Sequence, residues 1–194
     1  MSRLVVVKLG GGIAKEPGGL ARAVSAIGQA ARHGPLLIVP GGGVLADGVR
    51  AAERDLELTP TAAHWMAILA MDQFAHAIAS AMPGATVVHD AVEIGAALAA
   101  ARVPVLAPYR WMLAADVLPH GWQATSDSIA AFVAGALDAD RLILLKPVGG
   151  ALDALVDPCF RDVLPLGLDV VVLAREELGR LESLVRDSDR RIAD

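Results

Sequence analysis

The chain holds a single cysteine, Cys159, in 194 residues. No internal disulfide can form, so a reducing, cytoplasmic setting is expected. Aromatic residues make up only 4% and charged residues 20%. Lysine and arginine total 17 against 22 acidic residues, a formal net charge of -5, and no basic patch is apparent. That argues against nucleic acid as a partner. Arg, Asp, Glu or His interrupts every apolar run before it reaches bilayer length, so no membrane partner is expected either. A basic-then-apolar leader is also missing, and no signal peptide is expected. His64, His76, His89 and His120 lack the spacing of a zinc motif, and no protein-built metal site is expected. The P-loop pattern is absent. So is the dinucleotide fingerprint, since Gly10-Gly11-Gly12 runs on into Ile13-Ala14-Lys15.

What the chain does have is aliphatic residues and glycine: 55% of it is hydrophobic, with 19 glycines. This suits small-residue helices packed on a parallel sheet, and the length fits one domain over 1–194. Leu4 to Leu9 reads as a buried strand interrupted by Lys8, running into Gly10-Gly11-Gly12. Leu20 to Arg32 has helical spacing and stops at His33-Gly34-Pro35. Leu36 to Val39 is a second strand, ending in Pro40-Gly41-Gly42-Gly43, and a helix over Val44 to Asp55 leaves that turn with Asp47 one turn in. Two strand–glycine–helix units at one edge of a parallel sheet would face a common cleft.

Thr59-Pro60 starts the next helix, apolar on nearly every side from Ala62 to Met82. Such a helix is either central or part of a subunit interface, which gives the expectation of a homo-oligomer, a dimer or larger. A strand over Thr86–His89 and a helix over Ala91–Ala101 follow. Prolines mark Val103 to Pro108 as an edge strand or a strand start, and Tyr109 to Leu118 fits no element. Gly121 to Ser128 leads into a helix over Ile129–Leu137. Arg141 to Leu145 is a strand closed by Lys146-Pro147-Val148-Gly149-Gly150. Val170 to Leu173 is the last strand and Glu176 to Arg186 a terminal helix, with a fraying tail in which Ile192 could pair at a sheet edge.

Four places carry polar residues at strand ends or helix starts: Lys8 with Gly10 to Gly12, Gly41 to Gly43, Thr125 to Ser128, and Lys146 with Gly149-Gly150. Cations and backbone N–H groups at glycine turns suit a polyphosphate, and phosphoryl transfer asks for positioning and charge stabilisation of this kind. Asp127 would orient the lysines or help hold a magnesium ion. Plainer readings stand beside these: Asp127 as a helix cap, Lys146 as a surface lysine, Cys159 as a structural thiol, and the Trp65–Met71 stretch as core.

Lysine before a glycine turn, then a strand into three glycines, resembles the amino acid kinase family. Its two phosphate turns are matched by Lys8-Leu9-Gly10-Gly11-Gly12 and Val39-Pro40-Gly41-Gly42-Gly43. Its later asparagine-x-aspartate-x-x-alanine motif is matched by Thr125-Ser126-Asp127-Ser128-Ile129-Ala130, and its nucleotide-side motif by Leu144 to Ala151. The order is kept over most of the chain. The resemblance implies a three-layer αβα sandwich with a mainly parallel central sheet, and an ATP- and Mg2+-dependent kinase acting on a small-molecule acceptor. It implies Lys8 and Asp127 as catalytic residues and Gly10, Gly11, Gly12, Gly41, Gly42 and Gly43 as the phosphate cradle. Lys146, Gly149 and Gly150 would lie by the nucleotide, and Asp47, Thr125, Ser126 and Ser128 by the acceptor. His64 to Gln73 and the Trp122–Ala131 stretch are similar to a small branch that phosphorylates an aminomethylfuran methyl phosphate in methanofuran biosynthesis. If the acceptor carries an amine, Asp72, Glu93 or Asp116 could receive it. Gly12 replaces the family's serine, and Pro147 and Gly149 replace acidic residues. Those losses leave a non-catalytic nucleotide- or oxyanion-binding assembly protein of the same fold as the alternative.

Overall fold

The computed structural model describes residues 4–187. The proposed pairing of Ile192 lies outside them. Six strands, β1 (Val5–Leu9), β2 (Leu36–Pro40), β3 (Ala85–Val88), β4 (Val103–Leu106), β5 (Arg141–Lys146) and β6 (Asp169–Ala174), form one sheet. All its pairings are parallel, in the order β3-β4-β2-β1-β5-β6. The chain starts at the centre, builds outward through β2, then returns to add β5 and β6 on the other side of β1. The strand order therefore reverses at β1, which places a ligand crevice at its carboxyl end.

Helices α1 (Gly11–Ala14), α2 (Gly19–Ala30), α3 (Gly43–Asp55), α4 (Pro60–Ala81), α5 (Ala91–Ala99), α6 (Tyr109–Ala115), α7 (Ser126–Ala136), α8 (Leu152–Leu155), α9 (Phe160–Val163) and α10 (Leu181–Asp187) complete the fold, with a 3-10 turn over Arg175–Arg180. The period of two along β1 puts Val5, Val7 and Leu9 into one core with α2 and α10, and Val6 into a second core with α5, α7 and Phe160 of α9. Helix α4 serves both: Ile68 and Met71 sit in the second core, Phe74, Ala75 and Ile78 in the first. Its all-round apolar character is therefore largely explained by packing inside the chain. None of the described helices is long and apolar enough to cross a membrane.

Local signals place most elements. Thr59 caps α4 by accepting from Ala62 N at 3.2 Å, with Pro60 in the first turn. Four readings change. Strand β4 lies inside the sheet rather than at its edge, while Pro104 is its second residue, close to the strand start that is the other expectation. Val103 N and Ala107 N donate to the β3 side, so the missing N–H of Pro104 faces β2, where the ladder registers only Ile38 with Val105. Residues 109–115 are helical because Asp72 Oδ1 accepts from Tyr109 N at 2.9 Å, a cap supplied from 37 positions away. Helix α7 begins at Ser126, three residues before the expected start, which brings Asp127 into its first turn. The terminal helix is divided between the 3-10 turn and α10.

Candidate active site

Lys8 is buried because the same alternation that sends Val6 under α7 sends Lys8 there too. Lys146, at the end of β5, lies on that face of the neighbouring strand, two positions beyond Leu144, the register partner of Lys8. Asp127 comes down from the first turn of α7 between them. Lys8 Nζ stands 2.9 Å from Asp127 Oδ1 and Lys146 Nζ 2.7 Å from Oδ2, and all three side chains are almost fully enclosed. Lys146 also donates to Leu155 O at 2.5 Å. Asp127 Oδ1 is held by the Lys8 ammonium.

Burial alone would raise the Asp127 carboxyl, but the Lys8 and Lys146 ammoniums outweigh it and hold the group below its ordinary value. Lys146 is pulled down, first by burial and then by the Lys8 charge, against the opposing pull of Asp127 and Asp157. Two ammoniums and one carboxylate leave an excess positive charge under the glycine turns. With both Asp127 oxygens engaged by lysines, the carboxylate orients cations and is not free to take a proton.

The glycine turns meet above this triad. A Cβ on Gly11 would lie 2.3 Å from Gly43 Cα, and one on Gly10 would lie 2.6 Å from Leu145 O and 3.6 Å from the Lys8 ammonium. Gly43 also takes a left-handed φ of 56° as it opens α3, whose N-terminus has no side-chain cap. Gly10 N donates to Leu145 O and Gly41 N to Leu9 O, tying both turns to the strands. Gly11, Gly12, Gly42 and Gly43 line a cleft of about 190 Å³, with Ala67, Ile68, Met71, Ala124 and Ile129 as apolar walls and Thr125 and Ser126 at the start of α7.

The expected site residues divide. Lys8, Asp127, Lys146 and the two glycine turns come together. Asp47, Thr125 and Ser126 line the cleft. Ser128 does not reach an acceptor: it is fully buried, and its N–H and hydroxyl are both given to Asp157. Gly149 and Gly150 are exposed outside the cleft, beyond Lys146 on the side of β6. Asp72, Glu93 and Asp116 are also outside it and are engaged by Tyr109 N, by His89 and Arg110, and by His120 respectively.

Other cleft residues were not assigned to the site from the sequence, although His64 and Trp122 fall in the stretches that carry the branch resemblance. Lys15 and Arg50 both pair with Asp47. The Arg50 guanidinium lies 4.0 Å over the Trp122 ring, whose indole N–H donates to Glu53 at 2.6 Å. His64 faces the cleft from α4, stacked at 4.8 Å on His120. Burial, then the neighbouring His120, lowers its pKa and favours the neutral ring. The spacing of Arg50 and Glu53 from Asp47 along α3 was the available signal; the approach of Trp122 from a distant loop left none. Among the described residues, no three His, Cys, Asp or Glu side chains are grouped to hold a metal.

Comparisons with known proteins agree with this architecture. Among curated proteins, the chain is similar to (5-(aminomethyl)furan-3-yl)methyl phosphate kinase of Methanocaldococcus jannaschii, at 26% identity over 149 residues, spanning 76% of this chain and 68% of that protein. Among solved structures, it resembles uridylate kinase from Archaeoglobus fulgidus, with a TM-score of 0.71, 20% identity, and 92% and 95% of the two chains covered. UMP kinase from Ureaplasma parvum matches with a TM-score of 0.71, 16% identity and 95% of each chain covered. The amino acid kinase family model matches residues 3–158, a span that includes both glycine turns and all three residues of the buried triad. The chain belongs to the amino acid kinase family and is a phosphotransferase of that family.

Proposed function

We propose that the protein transfers the γ-phosphate of ATP to the phosphate of a small monoester, (5-(aminomethyl)furan-3-yl)methyl phosphate, producing its diphosphate. The observation that carries this reading is the Lys8–Asp127–Lys146 triad, buried beneath two touching glycine turns and carrying a net positive charge. An acceptor that is already a phosphate brings its own ionised oxygen, because a phosphate monoester loses its second proton near pH 6. It needs no general base, and Asp127, held between two lysines, is not placed to act as one.

In the reaction, an acceptor phosphate oxygen forms a bond to the γ-phosphorus as the bond from that phosphorus to the β–γ bridging oxygen breaks, and ADP leaves. Lys8 and the N–H groups of the turns hold the transferring group and take up its charge. The nucleotide would approach over Lys146, Gly149 and Gly150, and the acceptor from the cleft between α3, α4 and α7. The apolar walls suit a flat ring. Asp47, the acidic side chain that lines the cleft, would receive the aminomethyl group. Magnesium would arrive on ATP, held by phosphates and water as well as at most one carboxylate, and would neutralise charge on the β and γ oxygens.

The test is ADP release with MgATP against a panel of the aminomethylfuran phosphate, UMP, isopentenyl phosphate, acetylglutamate and aspartate. Turnover with the furan phosphate alone is expected. Turnover with another acceptor would overturn the substrate, and no turnover with any would remove the reading as a whole.

A further inference from the structure

Asp157 lies outside the cleft, in the loop between α8 and α9, and has no part in the chemistry derived so far. Its surroundings are unusually organised. Oδ2 accepts from Thr125 N at 2.9 Å, Thr125 Oγ1 at 2.7 Å and Ser128 N at 3.1 Å, and Oδ1 accepts from the Ser128 hydroxyl. Nearby, Cys159 N donates to Gln123 O at 3.1 Å, stitching the same two segments together.

A helix ordinarily satisfies its third N–H with the side chain of its own N-cap residue. Thr125 occupies the cap position of α7 but makes no such bond, and its hydroxyl donates to Asp157. Asp157 takes the Ser128 N–H instead. The first turn of α7 is thus capped by a carboxylate 29 to 32 positions downstream, and Asp127 is one of the two residues enclosed between the clamped positions. The same loop supplies Leu155 O to the Lys146 ammonium.

We propose that Asp157 is a positioning residue for phosphoryl transfer, clamping Thr125 and Ser128 so that the Asp127 carboxylate stands between Lys8 and Lys146. This rests on the reading of that triad as the reaction centre. Asp157 also supports the charge of Lys146. The charged groups bearing on that ammonium are Lys8 from β1, Asp127 from α7 and Asp157 from the α8–α9 loop, and only the two carboxylates favour its protonated form. Removing one of them should let Lys146 lose its proton at lower pH.

Asp157→Asn keeps the shape, removes the charge and puts an amide donor where an acceptor is needed. With MgATP and the aminomethylfuran phosphate, kcat should fall about 100-fold, the cost of a misplaced reacting group, with the KM for ATP little changed. The alkaline limb of the kcat profile should move to lower pH. In 15N-lysine-labelled protein, the Lys146 ammonium signal should titrate at lower pH in the variant, whatever the acceptor. A general structural cap would lower the melting temperature but leave the lysine titration and the alkaline limb in place, and that result overturns the proposal. If Asp157→Asn does not fold, Ser128→Ala removes one of the clamp's contacts, the Ser128 hydroxyl bond, while keeping the backbone N–H bond and the charge. It should lower kcat with the Lys146 titration held, and unchanged kcat there sinks the clamp. Lys8→Ala keeps the two readings apart: turnover retained there removes the triad as the reaction centre, whereas turnover lost there but unchanged in Ser128→Ala removes the clamp alone.

Discussion

Lys146 is buried on the same side of the sheet as a second lysine, with one carboxylate between them, and its pKa is depressed for that reason. Between that depressed value and the ordinary lysine value of about 10.4 the unfolded chain binds more protons, so this group makes stability rise with pH across that window. Lys146→Met should therefore abolish turnover yet leave the urea midpoint near pH 7 unchanged or higher, and should flatten the alkaline rise. Asp127 behaves differently at the other end of the scale. Its pKa is held below the ordinary carboxylate value, so its contribution is present above about pH 3.9 and is lost as pH falls through the folded value. Asp127→Asn would leave two buried ammoniums facing each other and should cost about 3–5 kcal/mol, measured by urea unfolding, besides removing activity. Lys8→Ala, by contrast, leaves the neutral Asp127–Lys146 pair; it should cut kcat about 1000-fold with a smaller loss of stability. The candidate triad was legible in the sequence because a lysine interrupting an aliphatic strand is conspicuous. Asp157 was not. Followed by Pro158, it has the form of a local helix start, and only the fold shows that it caps a helix more than two dozen residues upstream.

At the scale of elements, the glycine turns belong to the strands that end in them. Gly11→Ala would force a methyl group into Gly43, backbone against backbone, with no flexible side chain to yield. A cost of about 1–3 kcal/mol and a loss of ATP-induced thermal protection are expected. An exposed glycine such as Gly48, where a Cβ meets nothing, should accept alanine without loss of either. Asp47→Asn tests the acceptor end of α3: KM should rise for an acceptor bearing an aminomethyl group and stay level for the analogue lacking the amine. Most helices and strands could be read in the sequence from periodicity and punctuation, since their apolar faces and their stops are local. The misread elements have non-local causes. Helix α6 depends on a cap from Asp72, β4 tolerates Pro104 because its neighbour pairs thinly there, and α7 starts early under the hold of Asp157.

At the scale of the molecule, the reversal of strand order at β1 gathers the proposed reacting groups around one strand end. The outer strands β3 and β6 lie farther from it and carry less of the site. The expectation of a homo-oligomer drew on the apolar surface of α4, much of which is now seen to be used within the chain. Sequence periodicity could identify that helix as buried but could not say against what. Its division between the two cores has a consequence for unfolding. Neither side of the sheet can melt alone without pulling away half of a helix on which the other side depends, so the two layers should exchange their protected amides together. Calorimetry should show one transition with matching calorimetric and van't Hoff enthalpies, and a cut in the middle of α4 should unfasten both faces at once.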